Sequence, residues 1–360
     1  MTHTGTGTED GAFVSTGDLP ERGQVQRLVD EAYERYRHDD EGETSTYPAL
    51  ARVRRSLFGV CVADTHGATY AVGDVDVEFS IMSVSKPFVF ALVCSLLGPA
   101  VVREKVGVNS TGLPFNSLAA VERSHDGRTN PMVNAGAIAS TSLVPGTSAP
   151  EKWEFLHTGL SSFAGRTLPL DEEVYVSVSA SNARNHGIAR LLQSYGRLYC
   201  EPGEAVDLYT RQCSLHVTAR DLAVMGATLA DGGTNPLTGQ RVVEPSVCHY
   251  TLAVMLTAGL YESSGEWLYD VGIPAKSGIG GGIVTVSPGK GGMGTFAPLL
   301  DRDGNSVKGQ KVAKFLSAEL GMDLLISAPS WQGDAADDRR SSTGSRRDLD
   351  VTSEGIDAVS

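Results

Sequence analysis

Cysteine is scarce in this 360-residue chain: Cys61, Cys94, Cys200, Cys213 and Cys248, with no Cys-x-x-Cys pair. The odd count and the spacing argue against a disulfide framework and against a structural zinc site. They fit buried, reduced thiols and a cytoplasmic protein. Basic residues are also in short supply, 30 Lys and Arg against 43 Asp and Glu, for a net charge of −13. Such a surface repels a phosphate backbone, so nucleic acid is not an expected partner. Long apolar runs are missing as well. The longest, Pro87 to Leu97, falls short of the ~20 residues that span a bilayer. It reads as a buried helix, and no membrane partner is expected. The first twenty residues carry acids and lack the apolar core of a signal peptide. The eight His are scattered, with neither HxxxH nor HExxH among them. No metal site is expected, and His186 reads as structural.

Glycine is what the chain has in surplus, 41 of 360, about 11% against a usual ~7%. The length allows two domains or one large one at ~100–200 residues per domain. Residues 1–20 read as a disordered tail, rich in Thr, Gly and acids. The stretch 329–360 reads the same way. Between them, 21–328 shows no linker and no repeat and is taken as one catalytic unit. Helical spacing predicts a helix over about 21–38. Two strands, Leu57–Ala63 and Thr69–Val72, are joined by Asp-Thr-His-Gly at 64–67, a hairpin with turn chemistry. A helix from about Ser83 to Leu97 stops at Gly98. The middle, about 100–260, is helical in pattern and forms a second lobe. Strands return after Val271, and a last helix covers Val307–Leu320. The fold expected is therefore α/β: a mixed sheet assembled from both chain ends, flanked by helices, with a helical lobe beside it.

The sharpest local signal is Ser83-Val84-Ser85-Lys86. Three residues apart on a helix, Ser83 and Lys86 share one face. A serine hydroxyl attacks well only when a base takes its proton, and a lysine whose pKa is lowered by burial is such a base. The helix N-terminus adds free N–H groups for a developing anion. Taken alone, the four residues also fit a helix cap followed by a surface lysine. A second box, Lys276-Ser277-Gly278, leads into Ile279-Gly280-Gly281-Gly282. A Lys-Ser/Thr-Gly strand facing a Ser-x-x-Lys helix is the arrangement of penicillin-recognising enzymes. Their third box, S-x-N or Y-x-N, is missing: no Asn has Ser or Tyr two residues before it. The pattern GxGxxG at 289–294 lies between two strands with no helix to hold a pyrophosphate, so it reads as a hairpin turn.

Longer segments carry a resemblance. NPMVNAGAI (130–138), VYVS…RN (174–185), LYTRQCSLHVTARDLAVMGATLADGG (208–233), PAKSGIGGGI (274–283) and DGNSVKG (303–309) closely resemble the serine-dependent glutaminases. These are enzymes of β-lactamase/transpeptidase-like fold that hydrolyse L-glutamine to L-glutamate and ammonia. The likeness runs from about Tyr47 to about Leu325. It implies that Ser83 is the nucleophile and that Lys86 takes or relays its proton. Tyr261 and Tyr47 would stand beside them. Backbone N–H groups of Ser83 and Ile279 would form the oxyanion hole. The family usually has Val at position 279, a change a backbone donor tolerates. Asn134, Asn185 and Tyr209 would hold the amino-acid head of glutamine, and Lys276 would supply positive field. The resemblance implies no cofactor, and a homodimer or homotetramer.

Two positions depart from the family pattern. Val178 stands where the family has Glu, which meets the substrate α-ammonium, and Met82 stands where it usually has Gln before the nucleophile. Glu172 and Glu173 are nearby acids that could compensate. Two alternatives arise: a serine amidohydrolase of the same fold with a different amide substrate, or a weakened homologue that acts as a binding protein.

Overall fold

The computed structural model describes residues 17–326. The expected tails lie outside the described residues, apart from 17–20. By its contacts the chain divides after Leu324, and every helix and strand among the described residues belongs to the first unit.

The sheet is assembled from both ends of that unit, as expected. Its strands are β1 (Gly59–Asp64), β2 (Thr69–Gly73), β5 (Ala275–Ser277), β6 (Gly282–Ser287) and β7 (Gly291–Phe296). They lie in the order β2-β1-β7-β6-β5. Every pairing is antiparallel, where a mixed sheet was expected. Short connections join β1 to β2 and β5 to β6 to β7, and short turns can only return a strand antiparallel; β1 and β7, from the two ends, also meet antiparallel. The distant ends meet where Cys61 faces Gly294 and Val62 faces Met293. A separate two-stranded pair joins β3 (Phe79–Ser80) with β4 (His216–Val217).

Side chains of a strand alternate between faces. Val60, Val62, Ile283 and Met293 point to one face and pack under the helices Arg22–Tyr36 and Val307–Glu319. Cys61, Ala63, Val284 and Val286 point to the other, against the helix Ala219–Ala230. Glycine governs how close that helix comes. A Cβ at Gly294 would fall 2.1 Å from the Ala219 carbonyl, and one at Gly292 would fall 2.4 Å from the Ala227 nitrogen. The GxGxxG run is thus the turn between β6 and β7, as read, and its later glycines admit a helix against the sheet.

The apolar run becomes the helix Ser85–Leu97, with Ser85 to Cys94 all buried, ended by Gly98 at φ 85°. A short 3₁₀ turn, Met82–Val84, precedes it. This turn touches β5, β6 and the helix Pro202–Cys213, so Ser83 sits between the sheet and that helix. Four thiols are buried and Cys200 is half-buried; all five are free. Among the described residues, no helix is long and apolar enough to cross a membrane.

Candidate active site

A cavity of about 450 Å³ opens over Ser83. Its lining includes Tyr47, Met82, Asn134, Asn185, Tyr209 and Ile279. Six of the nine residues singled out in the sequence therefore wall one space: those five other than Met82, and Ser83 itself. The remaining three, Lys86, Tyr261 and Lys276, are buried directly behind it.

The backbone is strained at the entry to the helix. Met82 (φ 48°) and Tyr261 (φ 56°) are the non-glycine residues with positive φ among the described residues. Such conformations cost ~1–3 kcal/mol each and persist only where the surroundings enforce them. Here the enforcement is visible. The strand-end loop Gly278–Gly280 is pressed on residues 80–83. A Cβ at Gly280 would fall 2.4 Å from the Ser80 carbonyl, and one at Gly278 would fall 3.3 Å from the Ser83 nitrogen. The two glycines bring the backbone between them, at Ile279, alongside that of Ser83.

Lys86 is 1% exposed. Its Nζ donates to the Met132 carbonyl (3.1 Å) and to Asn134 Oδ1 (2.8 Å). Burial without a facing carboxylate pushes its pKa down to about 7. At neutral pH a large share is therefore free amine, the form that accepts a proton. Tyr261 donates to the Ser277 carbonyl (3.3 Å) and is also hydrogen-bonded to Ser83. Burial pushes its pKa up to about 12, so the phenol keeps its proton. Lys276 Nζ lies 4.0 Å from the centre of the Tyr261 ring and donates to the Ser277 carbonyl (2.8 Å). Burial and the charge of Lys86 both hold its pKa well below the ordinary lysine value. The two lysines thus compete for charge, and positive field from Lys276 weakens once Lys86 is protonated. Behind them Asn305 Oδ1 accepts from Ser277 Oγ (2.5 Å), and its Nδ2 donates to Ser263 Oγ (2.9 Å), which fixes the Lys-Ser-Gly strand.

Tyr209 Oη donates to Asn134 Oδ1 (3.1 Å), and Asn134 Nδ2 donates to Asn185 Oδ1 (3.0 Å). Burial holds the Tyr209 phenol protonated. Tyr47, half-buried, lines the same cavity and immediately precedes the short helix Pro48–Ala51.

With a seryl hydroxyl, a near-neutral lysine and a glycine-lined backbone cleft in place, likeness to known proteins becomes informative. A glutaminase family model matches residues 42–325. Glutaminase 2 of Yersinia pestis is 65% identical over 318 residues, 88% of this chain and 94% of the relative. The chain belongs to the glutaminase family. A glutaminase of Colwellia psychrerythraea is 46% identical, over 85% of this chain and 99% of its own. Among solved structures, a probable glutaminase ybaS superposes with TM-score 0.84 at 43% identity, over 85% of this chain and 100% of that one. The structure of Mglu in its glutamate form gives TM-score 0.80 at 38% identity, over 85% of this chain and 71% of that one.

Within this glutaminase, the two departures both border the cavity. Val178 is buried in its wall, on the helix Glu172–Ala180, and Met82 lies beside Ser83. The acids expected to compensate do not reach it. Glu172 and Glu173 are exposed in the first turn of that helix, and Glu173 pairs with Arg52 at 2.6 Å. The helical period explains this: Val178 and Val174 share the buried face, and the two acids precede it on the solvent side. Carboxylates do occur at the mouth, but they are engaged. Asp301 accepts from the backbone N–H groups of Asp303 and Asn305 and from Gln310, and Glu43 pairs with Arg55. Sequence reading missed Asn182, Thr210 and Cys213 as cavity residues. Their nearness to Asn185 and Tyr209 in the chain was the available signal.

Proposed function

We propose that this chain hydrolyses L-glutamine to L-glutamate and ammonia through an acyl-enzyme on Ser83. The observation that carries the proposal is a buried lysine of near-neutral pKa one helical turn from a buried serine, in a member of the glutaminase family. Ser83 Oγ attacks the side-chain amide carbon of glutamine, and Lys86 takes the hydroxyl proton. The oxyanion is held by the backbone N–H groups of Ser83 and Ile279. The proton passes to the leaving nitrogen, with Tyr261 in the relay, and ammonia departs. Water then attacks the γ-glutamyl ester, losing its proton to Lys86, and Ser83 is regenerated. Asn134, Asn185, Tyr209 and Tyr47 orient the substrate, and Lys276 adds field while protonated. No cofactor enters these steps. The test is release of ammonia and glutamate from L-glutamine by the purified protein. Equimolar release supports the proposal; none from folded protein at high glutamine overturns it.

Val178 favours a second reading at one point, the substrate head. An α-ammonium held against valine lacks a charge-assisted partner. Amides whose α-amine is absent or blocked would suit this wall better. Val178→Glu separates the two. It is expected to lower KM for L-glutamine about ten-fold, the lower end for a hydrogen bond to a charged group, with kcat little changed. An unchanged KM would show that the ammonium is bound elsewhere.

The remaining features of the proposal rest on composition and family. The catalytic unit spans 21–328 with its helical lobe at about 100–260. The five free thiols support a cytoplasmic enzyme. The family resemblance supports a homodimer or homotetramer, which light scattering measures directly.

A further inference from the structure

Beyond Asn134 and Asn185 the hydrogen bonds run on. Asn185 Nδ2 donates to Asn182 Oδ1 (2.6 Å). Asn182 Nδ2 donates to Thr210 Oγ1 (2.7 Å), and Thr210 Oγ1 donates to the Val206 carbonyl (2.7 Å). With the 2.8 Å bond from Lys86 and the 3.0 Å bond from Asn134, this makes an unbroken buried line of five bonds. Its ends are chemically fixed. A protonated lysine Nζ only donates, and a backbone carbonyl only accepts. If the Asn134 or Asn185 amide turned over, two donors or two acceptors would face each other at both of its ends; a turned Asn182 would set two donors against each other at Asn185 and draw the Thr210 hydroxyl proton away from the Val206 carbonyl. Each amide therefore has a single orientation, set from both ends.

We propose that Asn182 and Thr210 are positioning residues: they lock the Asn134 and Asn185 amides so that Asn134 presents its carbonyl oxygen to Lys86. An oxygen there stabilises the protonated lysine and anchors the amine when neutral. A turned amide would present N–H instead, which disfavours the ammonium and occupies the lone pair with which the neutral amine takes the Ser83 proton. The other groups around Lys86 are the Met132 carbonyl, the Phe115 ring, Tyr209 and Cys213 from the helix Pro202–Cys213, and Lys276 from β5. None of these is a carboxylate; Cys213 also favours the charge, and Asn134 is the side chain whose oxygen accepts directly from Nζ.

The inference rests on the glutaminase reading for one readout, glutamine turnover, and has a second that does not need it. That second readout is the pH dependence of Ser83 labelling by a fluorophosphonate probe. Thr210→Val removes the hydroxyl and keeps the shape. It is expected to lower kcat about ten-fold, as a misplaced reacting group does, and to move the acid limb of both readouts to lower pH. KM should change less than kcat. Thr210→Ser should restore rate and limb together. Asn182→Ala should reproduce the Thr210→Val shift and covers the case in which that variant fails to fold. Unchanged limbs in the folded variants would overturn the proposal, and so would an effect confined to KM, which would mean direct substrate contact. If wild type released no glutamate but the labelling limb moved as stated, the glutaminase reading would fall and the positioning role would stand.

Discussion

Replacing Ser83 by Ala is expected to cut kcat for L-glutamine by about 10⁴-fold or more, the scale on which nucleophile removal acts in serine hydrolases. The melting temperature should move little. Ser83 is buried but contributes to the fold only one hydroxyl, hydrogen-bonded to Tyr261. The strained turn at Met82 is held by the Gly278–Gly280 loop through backbone contacts, which alanine leaves intact. The oxyanion cleft and the asparagine cluster also stay, so substrate should still bind. Calorimetric titration of the variant with glutamine should therefore show binding without turnover. A variant that kept within ten-fold of the wild-type rate would remove Ser83 from the reaction, and the acyl-enzyme with it.

Much of this arrangement is legible in the chain. The apolar run after Lys86 reads as a buried helix, and it placed the Ser-x-x-Lys pair at a helix entry. The hairpin Asp-Thr-His-Gly and the strands after Val271 announced a sheet built from both ends. What stayed hidden has physical reasons. The short β3–β4 pair has too few residues for periodicity to register. Positive φ at Met82 comes with packing of the Gly278–Gly280 loop against residues 80–83, and at neither Met82 nor Tyr261 does the residue type signal it. The Asn182–Thr210 bond joins residues 28 apart, and nothing in either segment alone marks them as partners. The same holds for the exposure of Glu172 and Glu173: proximity in the chain to Val178 suggested help, and helical geometry carries them to the other face.

Activity against pH reads the state of Lys86. The lysine must be neutral to take the Ser83 proton, and burial brings its pKa down to about 7. The rate should therefore fall as pH drops through that value, about tenfold per unit once the group is mostly charged. Tyr261 is raised to about 12 and sets no limb in this range. Unfolding is the competing explanation for an acid limb, and the linkage separates the two. A lysine with a folded value near 7 and an ordinary value of 10.5 binds fewer protons folded than unfolded between those limits. Its contribution to stability thus rises with pH from about 7 to 10.5 and is flat below. Acid loss of activity driven by Lys86 consequently comes without a matching loss of melting temperature just below pH 7. Lys86→Met should confirm the assignment from the other side. It removes a buried base, so kcat should drop ~10³-fold and the limb near pH 7 should vanish. Its stability should rise, because an apolar side chain of similar length ends the desolvation of a buried amine. An acid limb that survived in Lys86→Met would transfer the role to another group, of which Lys276 is the buried amine at hand.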